Sequence, residues 1–265
     1  MLGAVIGDIA GSRFEHRNRK STDFEIFHPD SHITDDSVMT IAIARAILDH
    51  EERGVDLSKA AIESMQQFAR RYPYAGYGRS FFNWFMSDDP RPYNSFGNGA
   101  AMRVSPAGWA AHSLDEACDI AEKVTAVSHD HPQSIKAAKA IASAIYMAKT
   151  GSSKQEIRDY ITKNYYPLDF TLDQIRPTYT FDVSCDGSVP QAFEAFFEAS
   201  DFEEAVRLAV SIGGDSDTIA AIAGSLAEAY YGIPEAMRTA AFNRLYPDQA
   251  EVVREFEKRY PPKIE

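Results

Sequence analysis

The sequence predicts an all-α protein, and three observations carry that prediction. Apolar residues recur at 3.6-residue spacing along most of the chain, and turn-forming Pro, Gly and Asn collect between those stretches. Alternating β patterns are nearly absent; only "PTYTFDVSC" has the pattern of a short strand. There is no low-complexity linker and no internal repeat, so residues 1–265 are expected to form one domain with a substantial buried core.

Each element has its own warrant. "MLGAVIGDIAGSRF" places Gly7 and Gly11 four apart around Asp8, a spacing for close helix packing, and Glu15 follows where the chain turns polar. In "HITDDSVMTIAIARAIL" a helix begins near Val38, with Thr34 placed to cap it. "SKAAIESMQQFARRY", "LDEACDIAEKVTAVS", "PQSIKAAKAIASAIYMAKTG", "VPQAFEAFFEAS" and "DFEEAVRLAVSIGG" continue the helical period. Asp115 and Asp201 stand where N-caps belong, and Gly151 where a helix-terminating glycine belongs. The last strong run sets apolar residues at Ile219, Ile222, Leu226 and Tyr230, with Ala220, Ala223, Gly224 and Ala227 between them. Such a helix can be approached closely on several faces and should be deeply packed.

Composition removes some functions. A formal net charge of −12 disfavours binding to a nucleic-acid backbone, though not to a small nucleotide held through a metal. Two cysteines, Cys118 and Cys185, are too few for a disulfide scaffold or a cysteine zinc site, which favours a reducing compartment. The apolar start lacks a basic n-region and contains Asp8, which argues against a signal peptide, and no run is long enough to span a bilayer. A cytoplasmic protein is expected.

The chemistry concentrates in paired acids. Asp215 and Asp217 stand between a Gly-Gly turn and a nearly uncharged helix. One acid is explained as a cap, worth about 0.3–1 kcal/mol against the helix dipole. A second acid two residues on is not, because like charges in a dehydrated site repel unless a cation neutralises them. No Lys or Arg lies between Arg207 and Arg238, so the cation comes from elsewhere in the chain or is a metal ion. Thr34-Asp35-Asp36-Ser37 repeats the pattern at another helix start. Four carboxylates brought together would need cations, and hard oxygen donors without thiolate suit Mg²⁺ or Mn²⁺. The capping reading and the metal reading both stand at this point. Elsewhere, Gly97-Asn98-Gly99 makes a turn whose free N–H groups can hold phosphate, and His129-Asp130-His131 sits at a helix end, where histidines cap, pack or bind ligands.

Together these segments resemble the ADP-ribosylglycohydrolase family. Its hallmarks recur as Gly7-Asp8-Ile9-Ala10-Gly11, Thr34-Asp35-Asp36-Ser37, Gly97-Asn98-Gly99-Ala100-Ala101-Met102-Arg103, Ser128-His129 and Gly213-Gly214-Asp215-Ser216-Asp217-Thr218, in an order that covers nearly the whole chain. The resemblance implies an orthogonal helical bundle with a binuclear cleft for two Mg²⁺ or Mn²⁺ ions. It implies Thr34, Asp35, Asp36, Asp215, Asp217 and Thr218 as metal ligands, with Asp36 and Asp215 essential to turnover. Ser95, Phe96, Gly97, Asn98 and Gly99 match a loop holding the diphosphate and adenosine side of ADP-ribose, and His129 matches a histidine of the same cleft. Glu15 resembles the loop glutamate that assists the reaction in serine-type members.

The implied reaction is hydrolysis of the C1″ glycosidic bond of ADP-ribose on a protein side chain, serine- or arginine-linked. The implied partner is therefore ADP-ribose or an ADP-ribosylated protein. Gly76-Tyr77-Gly78, like Glu15, is closer to the serine-type pattern. Two other classes are consistent with parts of the sequence. A helical metal phosphohydrolase of the HD type would use His129-Asp130, and a retired homologue would bind ADP-ribose without cleaving it.

Overall fold

The periodic stretches fold as helices in a computed structural model that describes residues 1–262; residues 263–265 of the expected domain lie outside the described residues. In chain order the helices are α1 (Leu2–Gly11), α2 (Asp35–Arg53), α3 (Leu57–Arg71), α4 (Arg79–Met86), α5 (Gly99–Met102), α6 (Ser105–Ala110), α7 (Leu114–Ala126) and α8 (Pro132–Lys149). The second half adds α9 (Lys154–Asn164), α10 (Leu172–Ile175), α11 (Cys185–Glu198), α12 (Phe202–Ser211), α13 (Ser216–Tyr231), α14 (Glu235–Phe242) and α15 (Pro247–Arg259). No strand forms among the described residues. The fold is all-α.

Two local expectations are corrected. "PTYTFDVSC" has no strand to pair with, and its one ladder contact is an isolated antiparallel bridge between Ser184 and Gly97. The Ser184 side chain is committed to capping α11, accepting the Gly187 N–H at 3.0 Å. Asp115 does not cap α7; Ser113 does, accepting the Glu116 N–H at 3.1 Å, while the Glu116 carboxylate reaches back to the His112 N–H at 2.6 Å. That reciprocal pairing satisfies two free N–H groups, which a carboxylate inside the first turn does not. Asp201 does cap α12, at 2.8 Å from the Glu204 N–H. Gly151 takes φ +97° just past α8, as a helix-terminating glycine does.

α13 is the axis of the fold. Every residue from Ser216 to Ala229 is buried, because α1, α8, α11 and α12 surround it. Its most extensive partner is α1. A Cβ on Gly7 would lie 1.9 Å from the Ala220 carbonyl oxygen, and one on Gly3 would lie 2.3 Å from that of Gly224. The two backbones are in direct contact, which only glycine permits. α2 packs beside this pair, flanked by α3, α6 and α15. The last turn of α1 and the first turns of α2 and α13 are thereby drawn to one place. No helix among the described residues is long and apolar enough to cross a membrane.

Candidate functional site

Asp8, in the last turn of α1, organises this meeting point. It is fully buried, and its Oδ2 accepts the backbone N–H groups of Thr34 at 2.9 Å and Ser37 at 3.1 Å as well as the Ser37 hydroxyl. Its Oδ1 accepts the Thr34 hydroxyl at 2.7 Å. The start of α2 is therefore capped chiefly by a carboxylate from another helix. Thr34 itself accepts the Asp36 N–H only at 3.3 Å. With those donors satisfied, Asp35 and Asp36 are not needed as caps. At α13, Asp215 occupies the N-cap position but makes no capping bond. Capping accounts for neither acidic pair.

What the acids do instead is crowd together. Carboxylate oxygens of Asp8, Asp36 and Asp217 lie within 4.8 Å of one another, and so do those of Glu15, Asp215 and Asp217. Asp35 is half-buried beside them, its N–H bonded to the Ala75 carbonyl at 2.8 Å. Thr218 stands at the same floor, one residue beyond Asp217. Among the described residues, none of Asp8, Asp35, Asp36, Asp215 and Asp217 forms an ion pair with a Lys, Arg or His. The Asp36 Oδ1 is buried with no hydrogen-bond partner at all.

Without a cation this arrangement holds on to protons. Burial, then the charge of Asp8, pushes the Asp35 carboxyl from its ordinary value of 3.8 up to about 8. Asp36 and Asp217 are raised well above the ordinary value by burial and by neighbouring carboxylates, and Asp8 and Asp215 are raised chiefly by burial. Glu15 is raised by burial and by Asp215. An orphaned buried oxygen among crowded hard donors fits a divalent ion of the Mg²⁺ or Mn²⁺ type. Neither carboxylate cluster includes a histidine among the described residues, so the HD-type expectation has no ligand set here.

The acids floor a cleft of about 570 Å³. Thr34, Asp35, Asp36, Asp215, Asp217, Thr218 and Glu15 line it from one side, and Ser95, Gly97, Asn98, Gly99 and His129 from another. Phe96 is not brought to that lining: its ring is exposed and packs edge-on against His131 at 5.8 Å, and its carbonyl accepts the Cys185 N–H at 3.0 Å.

The Gly97–Gly99 turn also differs from expectation. The Gly97 N–H is taken by the Ser95 hydroxyl at 3.1 Å and the Asn98 N–H by the Val183 carbonyl at 2.8 Å, so neither is free for phosphate. The Asn98 side chain turns inward, donating to Asp215 Oδ2 at 2.6 Å and to Ser188 at 3.0 Å. His131 caps α8, and Asp130 accepts the Asn94 N–H at 2.7 Å. His129 is buried against Ser128 and Arg103.

Two features escaped the sequence reading. Asp8 stands in the sequence as part of the Gly7–Gly11 hallmark with no role of its own, although an acid inside so apolar a helix is the signal for a buried polar role. The Asn98–Asp215 link joins positions 117 apart and leaves no sequence trace.

Comparison with known proteins agrees in direction. The ADP-ribosylglycohydrolase family model matches residues 1–262. ADP-ribosylarginine hydrolase Tri1 of Pseudomonas putida is 26% identical over 62% of this chain, which spans about half of that relative's length (46%). The ADP-ribosyl-[dinitrogen reductase] glycohydrolase of Rhodospirillum rubrum is 25% identical over 88% of this chain and 85% of its own. A solved structure titled ADP-ribosylglycohydrolase-related protein complex superposes with a TM-score of 0.67 at 22% identity, covering 97% of this chain and 96% of its own, which shows a shared fold. With the family model matching from end to end over a helical fold of this kind, the chain belongs to the ADP-ribosylglycohydrolase family.

Proposed function

We propose that this protein is a divalent-metal-dependent hydrolase that releases ADP-ribose from a modified side chain. One observation carries the reading: buried carboxylates without a cationic partner, Asp36 Oδ1 among them without any partner, floor a cleft large enough for a nucleotide-sized ligand. The family match and the relatives' names supply the substrate class.

Thr34, Asp35, Asp36, Asp215, Asp217 and Thr218 would hold two Mg²⁺ or Mn²⁺ ions. Asp8 has its oxygens filled by Thr34 and Ser37 and serves as their anchor. Bound ions would orient the distal-ribose hydroxyls and lower the pKa of a water near C1″. The remaining work belongs to the chain. Asn98 fixes the Asp215 carboxylate. Glu15, whose carboxyl is held above its ordinary value by burial and by Asp215, can give a proton to the leaving-group oxygen as the C1″ bond opens with oxocarbenium character. His129, beside Gly99, would receive the diphosphate side. Glu15 and Tyr77 favour a serine-linked substrate within this reading, whereas the Pseudomonas relative's name points to arginine.

The test is direct. Purified protein is incubated with serine-linked, arginine-linked and polymeric ADP-ribose, in Mg²⁺, in Mn²⁺ and in chelator. Metal-dependent release of ADP-ribose from at least one is expected. Binding of ADP-ribose without turnover would instead identify a retired homologue, and turnover undiminished in chelator would remove the metal.

A further inference from the structure

The far wall of the cleft contains a buried cation with no carboxylate. Arg103 is 1% exposed, forms no ion pair among the described residues, and lies with its guanidinium carbon 5.4 Å from the centre of the Phe81 ring. Its Nη2 donates to Ser128 Oγ at 2.6 Å, and Ser128 Oγ lies 2.9 Å from His129 Nδ1. A guanidinium can only donate, so the serine oxygen accepts from it and keeps its single hydroxyl proton free to donate to the imidazole. The same Nη2 also stands 3.5 Å from Nδ1, so a proton on Nδ1 would face another donor. Nδ1 is therefore the acceptor and Nε2 carries the hydrogen.

The glycines beside it acquire a reason. Neither Gly97 nor Gly99 has positive φ, so backbone conformation does not require glycine at either place. A Cβ on Gly99 would come 3.2 Å from His129 Nε2, and one on Gly97 would come 4.0 Å from it. We infer that Arg103 and Ser128 lock His129 as the Nε2–H tautomer while Gly99 leaves that N–H uncovered. His129 then serves as a fixed neutral donor for a phosphate or hydroxyl oxygen in the cleft, not as a base. Arg103 and Ser128 are positioning residues.

The inference rests on the ADP-ribosyl reading only for the identity of the ligand. Tyr93, ring centroid 5.3 Å away, and Arg103 are the titratable or charged groups against the ring, and the arginine opposes a second proton on it. The experiment uses ¹⁵N-histidine-labelled protein in Mg²⁺, with the His129 signals assigned by their loss in His129→Gln. The wild type should show an unprotonated Nδ1 and a protonated Nε2, unchanged between about pH 5 and 8. Ser128→Ala and Arg103→Gln should each give a mixture of tautomers. Gly99→Ala should keep the wild-type ring signature but weaken ADP-ribose binding roughly tenfold. A protonated Nδ1 in the wild type, one unmixed tautomer in both lock variants, or undiminished affinity in Gly99→Ala would overturn the inference. If the wild type does not bind ADP-ribose, the proposed substrate fails while the ring signals still decide the lock.

Discussion

The two sides of the cleft face the same ligand space with opposite electrostatics. The floor holds acids raised by burial and by each other, and Asp36 keeps an oxygen with no partner. The far wall holds a buried arginine, a histidine kept neutral by burial and by that arginine, and a turn whose first two N–H groups are already bonded. The floor crowds negative groups with no cation beside them; the wall carries a buried positive charge and directs the His129 ring at the same space. Such a division suits a ligand that is anionic at one end and must meet a metal at the other. Asn98 is the hinge between them, because its backbone belongs to the wall and its amide holds the floor.

The sharpest way to break that contrast is to empty the floor. Asp36→Ala or Asp215→Ala should lower turnover at least about a hundred-fold, beyond the usual range for losing an outer partner of a metal ligand, with helical content by circular dichroism retained. Activity within a few-fold of wild type would mean that these acids hold nothing the reaction needs.

Next in size is the response to pH once metal is removed. The floor carboxylates have folded-state values above the unfolded one, with Asp35 raised from 3.8 to about 8, so the folded state binds more protons across that range. Stability of the chelated protein should therefore be greatest near pH 4 and fall as pH rises towards 8, the reverse of ordinary acid denaturation. Saturating Mg²⁺ or Mn²⁺ should flatten the dependence in thermal melts, and Asp217→Asn should raise the melting temperature of the chelated protein at pH 8. A metal-free melting temperature that climbs from pH 4 to 8 would contradict the crowding.

Asn98→Ala tests the hinge. It should cost roughly 10–100-fold in activity and in metal affinity measured by titration calorimetry, as removal of an outer partner does. Loss of ADP-ribose affinity alone would place Asn98 on the wall only. Smallest of all is Ser95→Ala, which removes one hydrogen bond from the turn and should weaken ADP-ribose binding about fivefold with kcat nearly unchanged.

The sequence was most informative where periodicity and motif order carry the information. The helices α2, α3, α7, α8, α11, α12 and α13 follow from apolar spacing, and the acids of α2 and α13 were recognisable as a pair of unusual helix starts. What resisted was partnership across the chain. The sequence does not show that Asp8 caps another helix, that the Gly97 and Asn98 N–H groups are spent on Ser95 and Val183, or that Phe96 packs on His131 instead of lining the cleft. Each depends on which long-range contact wins a local donor, and local propensity is silent on that.

The bare-backbone contact of α1 with α13 has a kinetic side. Gly3 and Gly7 meet Gly224 and Ala220, so more than two hundred residues separate the halves of this joint. During synthesis the N-terminal helix has no seat until α13 leaves the ribosome, and closing so long a loop is slow. Asp8 on one side of that joint and Asp217 on the other can therefore meet only once nearly the whole chain has been made, so the acidic floor of the cleft is among the last features to be assembled.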